Sequence, residues 1–131
     1  MVVKKIIKTL QYGSCSSVYE PQRSFSAVFY NRSGRIVYYY FREGKWSKDE
    51  KSFHFCSGDL SSVFENNKGH SALFYRGYDG YLHYQSVENG VWQHDNQSFK
   101  EFKVDGAIST IYETHRNHSG IFLFIHRSCC V

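Results

Sequence analysis

Along this chain, apolar residues alternate with polar ones or run together for about four to seven positions, as strands do. Ser26-Ala27-Val28-Phe29-Tyr30 and Ser71-Ala72-Leu73-Phe74-Tyr75 show the pattern. These runs are rich in Val, Ile, Tyr and Phe, which suit a pleated, half-buried surface. No stretch carries a helical period, and the chain has one proline. The runs are punctuated by Ser33-Gly34, Glu43-Gly44, Asp79-Gly80 and Asn89-Gly90. A glycine there supplies the positive φ that tight hairpins need. The pattern predicts an all-β protein of short antiparallel strands.

The strands recur. Ser17-Val18-Tyr19-Glu20 matches Ser62-Val63-Phe64-Glu65 and Thr110-Ile111-Tyr112-Glu113. Downstream, Ser26 to Tyr30 matches Ser71 to Tyr75 and Ser119 to Leu123. The matched segments begin at 17, 62 and 110 and at 26, 71 and 119, so both repeat after 45 and then 48 residues. The first two copies match further: Gly34 with Gly80, Tyr38 with Tyr84, Gly44 with Gly90, Trp46 with Trp92, Phe53 with Phe99. Self-similarity at such a period marks a repeat architecture. The division expected is one repeat domain over 1–131. It has a closing strand at 1–12, repeat one at 13–57, repeat two at 58–105 and a partial repeat three at 106–131. Lys4 to Gln11 reads as a strand without a local partner, which suits a ring whose termini pair and so protect their edges.

Composition changes the picture in one respect. Eleven Tyr, eleven Phe and two Trp make the chain 18% aromatic. So many tyrosines cannot all be buried with their hydroxyls bonded, and exposed aromatics serve binding surfaces or subunit contacts. The net charge is +4, with the lysines spread out, which argues against a nucleic-acid partner. The opening MVVKKIIKTLQ has no long apolar run, and no segment approaches membrane-spanning length, so membrane insertion is not expected. The expected location is the cytoplasm, or release without a signal peptide. Of the cysteines, Cys15, Cys56, Cys129 and Cys130, none forms a C-x-x-C pair, so no zinc is expected. Cys15 and Cys56 are expected to be buried thiols.

Residues 71–84, Ser-Ala-Leu-Phe-Tyr-Arg-Gly-Tyr-Asp-Gly-Tyr-Leu-His-Tyr, followed by Asn89-Gly90-Val91-Trp92, resemble blades of tachylectin-type and fucose-lectin-type β-propeller lectins. Ser33-Gly34-Arg35-Ile36-Val37-Tyr38 and Gly44-Lys45-Trp46 are a looser version of the same pattern. The resemblance implies four-stranded, β-propeller-like repeats and sugar binding. Propellers have roughly four to eight blades. A chain of at most three repeats therefore completes a ring by homo-oligomerisation, or closes alone as a β-trefoil or β-prism. A β-sandwich with similar hairpins is the remaining alternative.

Candidate ligand-binding residues follow from sugar chemistry. Trp46 and Trp92 could present flat platforms for the apolar face of a sugar, or fill the edge of a repeat. Glu20, Glu65 and Glu113 recur in one register. A carboxylate accepts two hydroxyl bonds, so they either bind sugar or link the repeat internally. Arg32 and Arg76 close the matched strands after Tyr30 and Tyr75, and Asp79 and His83 flank the second hairpin. Arg, Glu and Trp together are the set that the resemblance implies for polyol recognition. His70 and His118 occupy matched positions expected in loops. No cofactor, metal or catalytic residue is expected, since no nucleophile, zinc or phosphate motif occurs. The sequence therefore points to a multivalent, non-catalytic glycan-binding lectin with glycans or glycoproteins as partners. The alternative is a protein-interaction module using the same aromatic surface.

Overall fold

The computed structural model describes residues 15–48 and 55–125, and the segment expected to close the ring, Lys4 to Gln11, lies outside them, as do Cys129 and Cys130. The described residues form ten strands: β1 (Cys15–Glu20), β2 (Phe25–Arg32), β3 (Arg35–Arg42), β4 (Lys45–Lys48), β5 (Leu60–Glu65), β6 (His70–Arg76), β7 (Tyr81–Glu88), β8 (Val91–Trp92), β9 (Gln97–Glu113) and β10 (His118–Ile125). No helix occurs among the described residues, so none could cross a membrane. The protein is all-β, as the alternation predicts.

Strands β1 to β4 form one antiparallel sheet in sequence order, and the second sheet runs β10-β9-β7-β6-β5, with β8 also on β7. Strand β9 serves two repeats. Its start pairs with β7, His83 opposite Ser98, while its later part pairs with β10, Thr110 opposite Ile121. The registers of the three repeats coincide: Glu20 pairs with Phe25, Glu65 with His70 and Glu113 with His118. The turns coincide too. Ser24, Gly69 and Asn117 end the first turn of each repeat with positive φ. Ser33-Gly34 and Asn89-Gly90 have the paired positive φ of tight hairpins, at 51° and 89° and at 52° and 79°. The Asp79-Gly80 hairpin is wider, because β6 ends at Arg76 and β7 begins at Tyr81.

The first strands of the repeats lie side by side. Ser16 Oγ meets Ser62 Oγ at 2.7 Å, and Ser61 Oγ meets Thr110 Oγ1 at 2.8 Å. Each repeat turns one face toward the next. Ala27, Phe29 and Tyr38 of repeat one pack with Leu73, Tyr75 and Val87 of repeat two. Ala72, Phe74 and Tyr84 of repeat two, with Val104 at its end, pack with Ile108, Ile121 and Leu123 of repeat three. Two sheets packed this way, with their first strands adjacent, fit a propeller-like or barrel-like fold.

Asn31 fastens the link between repeats one and two. Its amide donates to Cys56 O at 3.2 Å and Gly58 O at 3.3 Å, while Gly34 N donates to its Oδ1 at 2.8 Å. Gly34 has φ +89°, and the Tyr78 hydroxyl sits where a side chain would project, so only glycine fits. Cys56 is wholly buried, and burial raises its thiol pKa. Cys15, expected to be buried, is exposed, because among the described residues no repeat covers the strand face that carries it.

Candidate functional site

Between repeats two and three lies an open cleft of about 280 Å3. Its floor is apolar: Phe74 from β6, Phe99 from the start of β9 and Ile121 from β10. Its rim is polar, with Asn67 and Lys68 on one turn, Asn117 on the matching turn, and Gln97 and His118 at strand ends. The two turns are tied together. Tyr112 Oη donates to Asn67 Oδ1 at 2.9 Å, and Asn67 N donates to Tyr112 Oη at 3.2 Å.

Glu65 forms the buried corner of the cleft. Tyr84 Oη donates to its Oε1 at 3.0 Å, and Ser119 Oγ donates to its Oε2 at 2.6 Å. His70 Nε2 lies 2.9 Å from Oε1, and Lys68 Nζ lies 3.8 Å from it. Burial alone would raise this carboxyl. The hydrogen bonds from His70, Ser119 and Tyr84, with the Lys68 charge, outweigh it and hold the group at about 2. Burial and the neighbouring Glu65 charge push the Tyr84 phenol well above its ordinary value.

The boundary between repeats one and two repeats this corner. Glu20 Oε1 accepts from Tyr38 Oη at 2.7 Å and from Ser71 Oγ at 3.0 Å, and Arg23 Nε lies 3.4 Å from Oε2. What differs is the filling. Trp92 sits edge-on against Phe29 at 5.8 Å and Tyr38 at 6.4 Å between ring centroids. The counterparts Phe74 and Tyr84 line the open cleft instead. Among the described residues the third glutamate, Glu113, meets partners from its own repeat, Arg116 at 3.4 Å and His118 at 3.3 Å.

The other residues singled out in the sequence fall elsewhere. Tyr75, Asp79 and His83 line a shallow hollow of about 360 Å3 with Phe55, Tyr78 and Asn96. Asp79 holds His83 Nε2 at 3.0 and 3.1 Å and accepts from Tyr81 N at 3.0 Å. Burial opposes its ionisation, but the bonds from Tyr81 and His83, with the His83 and Lys100 charges, together outweigh it and lower its pKa. His83 stacks on Tyr75, which is buried and bonded by Asn96 at 3.1 Å; burial pushes its phenol up to about 12. Tyr30 is buried and stacks on Tyr39. Trp46 leans on Phe41 at the outer edge of repeat one. Arg32 is exposed at the end of β2, and Arg76 ends β6 with its Nε buried and unbonded among the described residues.

The structure therefore does not gather Trp, Arg and Glu into one set. Glu65 is the single candidate at the open cleft, and its oxygens and those of Glu20 are already engaged. His70 and His118 are the first residues of β6 and β10, not loop residues. Sequence reasoning missed Lys68, Asn67 and Gln97 as rim groups. It also missed Ser71 and Ser119 as partners of the glutamates. The aligned copies carried a signal, since a cation stands three residues after each glutamate, at Arg23, Lys68 and Arg116.

The fold is similar to that of a fucose lectin from Kordia zhangzhouensis solved in complex with methyl-fucoside. The TM-score is 0.52 and the identity 9%, over 86% of this chain and 85% of that chain. No protein-family model and no curated protein matches the sequence.

Proposed function

We propose that this protein is a non-catalytic carbohydrate-binding lectin of propeller type, and that a sugar sits in the cleft between repeats two and three. The observation that carries the reading is the cleft's construction. An apolar floor of Phe74, Phe99 and Ile121 suits the C–H face of a pyranose. A rim of Asn67, Lys68, Gln97, Asn117 and His118 offers donors and acceptors to its hydroxyls. Glu65 does not bind the ligand in this reading; it holds the two walls together and orients Tyr84 and Ser119. The fold's likeness to a lectin that binds methyl-fucoside supports the same class of ligand.

The test is an NMR titration of the labelled protein with methyl-fucoside, run beside a glycan panel. Saturable shifts at Asn67, Gln97, Asn117 and Ile121 are expected. Replacing Gln97 or Lys68 by Ala should weaken binding about tenfold, the scale of one lost polar contact. Shifts confined to Tyr78, Asp79 and His83 would move the site to the hollow. Silence across every sugar would sink the lectin reading and favour a protein partner for the aromatic surface.

A further inference from the structure

We infer that the hollow beside the Asp79-Gly80 hairpin is a second ligand site, for a zwitterion of the phosphocholine class. The trimethylammonium head lies among the rings, and the phosphate lies outside them, at Arg35 and Lys100. This site is separate from the sugar cleft and does not rest on it. The hollow holds about 360 Å3 and is walled by Phe55, Tyr75 and Tyr78, with Asp79 and His83 beside them. Two of the rings face solvent, Phe55 at 46% and Tyr78 at 64% exposure, and their centroids lie 5.6 Å apart.

The repeat does not require these residues. The registers of repeats one and two agree here, since Tyr30 lies opposite Val37 as Tyr75 lies opposite His83. Repeat one therefore has Val37 where repeat two has His83, and Ser33-Gly34 where it has Asp79-Gly80. Three residues separate Tyr30 from Gly34 and four separate Tyr75 from Gly80, so the segment that carries Tyr78 is one residue longer. The Asp79–His83 pair also has room made for it. A side chain at Gly77 would come within 2.5 Å of His83 Nε2 and 2.9 Å of Asp79 Oδ1. Side chains that one copy carries and the other lacks are not explained by the folding of the repeat.

The chemistry of the hollow selects a cation. Aromatic rings draw a cation to their faces, and a group of rings recognises a quaternary ammonium in this way. Phe55 already draws one, the Arg35 guanidinium, 5.3 Å from its centroid. Asp79 supplies the countercharge: its lowered pKa keeps it ionised at neutral pH, and its side chain is 40% exposed. A quaternary ammonium has no hydrogen to donate, so it asks only for that charge. This suits a carboxylate whose oxygens already hold His83 at 3.0 and 3.1 Å. Arg35 and Lys100 would repel a bare cation. Both are exposed, and the Lys100 ammonium lies 6.0 Å from the Tyr81 centroid with its charge felt at Asp79. A phosphate joined to the ammonium turns both cations into partners, which makes the ligand a zwitterion.

An NMR titration of the labelled full chain with phosphocholine tests this. Saturable shifts at Tyr78, Asp79 and His83 are expected. The sugar titration reads Asn67 and Gln97 instead, so either site can fail without the other. Two further probes divide the contact. The tert-butyl analogue of phosphocholine puts carbon in place of the charged nitrogen, and choline lacks the phosphate. Each should bind about tenfold more weakly than phosphocholine. Equal binding of the carbon analogue would mean a merely apolar hollow and overturn the proposal, and equal binding of choline would overturn the zwitterion. Asp79→Asn, which keeps the side chain's size, and Tyr78→Ala, at an exposed ring, should each weaken phosphocholine about tenfold with an unchanged far-ultraviolet circular dichroism spectrum. Absence of shifts at the three residues, or unchanged affinity in both variants, sinks the proposal.

Discussion

The boundary between repeats one and two and the boundary between repeats two and three share a skeleton and differ in content. Both have a buried glutamate, a tyrosine that donates to it and a serine from the next repeat. In the first, Trp92 packs over Phe29 and Tyr38. In the second, Phe74 and Tyr84 face an open cleft with a polar rim. The glutamate set links neighbouring repeats as a clasp in both places. The filling beside it decides whether that space is packed, as with Trp92, or left as an open cleft.

The largest expected effect tests the packed side. Trp92→Ala removes a ring from the first boundary and should cost about 3 kcal/mol in urea unfolding, at the low end for a truncated Trp because this one is only partly buried. A loss under about 1 kcal/mol would mean that Trp92 does not hold that boundary. The same variant should open a cleft like the second one, visible as a new weak site in a sugar titration.

Next comes the clasp. Glu65 has a folded-state pKa of about 2 against an ordinary 4.5. Its contribution to stability is present above about 4.5 and is lost as pH falls through about 2. Thermal unfolding should therefore weaken steadily across that window. Glu65→Gln should lower stability by about 2 kcal/mol at neutral pH, because buried donors lose a charged acceptor, and should flatten the acid dependence. An unchanged acid profile would show that the clasp does not carry the pH response.

The smallest effect separates the two clasps. Among the described residues Glu65 has four partners, His70, Tyr84, Lys68 and Ser119, whereas Glu20 has three, Tyr38, Ser71 and Arg23. Tyr84→Phe should cost about 1 kcal/mol, and Tyr38→Phe measurably more, since fewer donors remain and Tyr38 is the more deeply buried. Equal losses in denaturant titrations would show that the surplus donors at Glu65 contribute nothing.

Much of this was legible in the chain. Alternating Val, Ile, Tyr and Phe with Gly-containing turns is enough to require strands, since the pattern and the turn chemistry act over a few residues. The recurrence of Glu20, Glu65 and Glu113 announced a role in every repeat. It could not say whether the role was binding or linking, because Ser71 and Ser119 lie far along the chain from the carboxylates they serve. Trp46 and Trp92 look alike in sequence, each after a Gly turn. They differ in space because Trp92 has a preceding repeat beneath it among the described residues. The rim of the open cleft was illegible for a like reason: Asn67, Gln97 and Asn117 come from three separate segments, and each alone reads as a turn or strand-end residue.

The sequence by itself determined an all-β chain, the positions of its turns, and the periodic placing of aromatics and acids. The tertiary structure alone decided which face of each repeated strand is covered. Alternation assigns side chains to two faces, but burial depends on what lies opposite. Phe29, Phe74 and Phe122 hold the same place in three like strands, and among the described residues the first two have a neighbouring repeat over them while Phe122 is exposed.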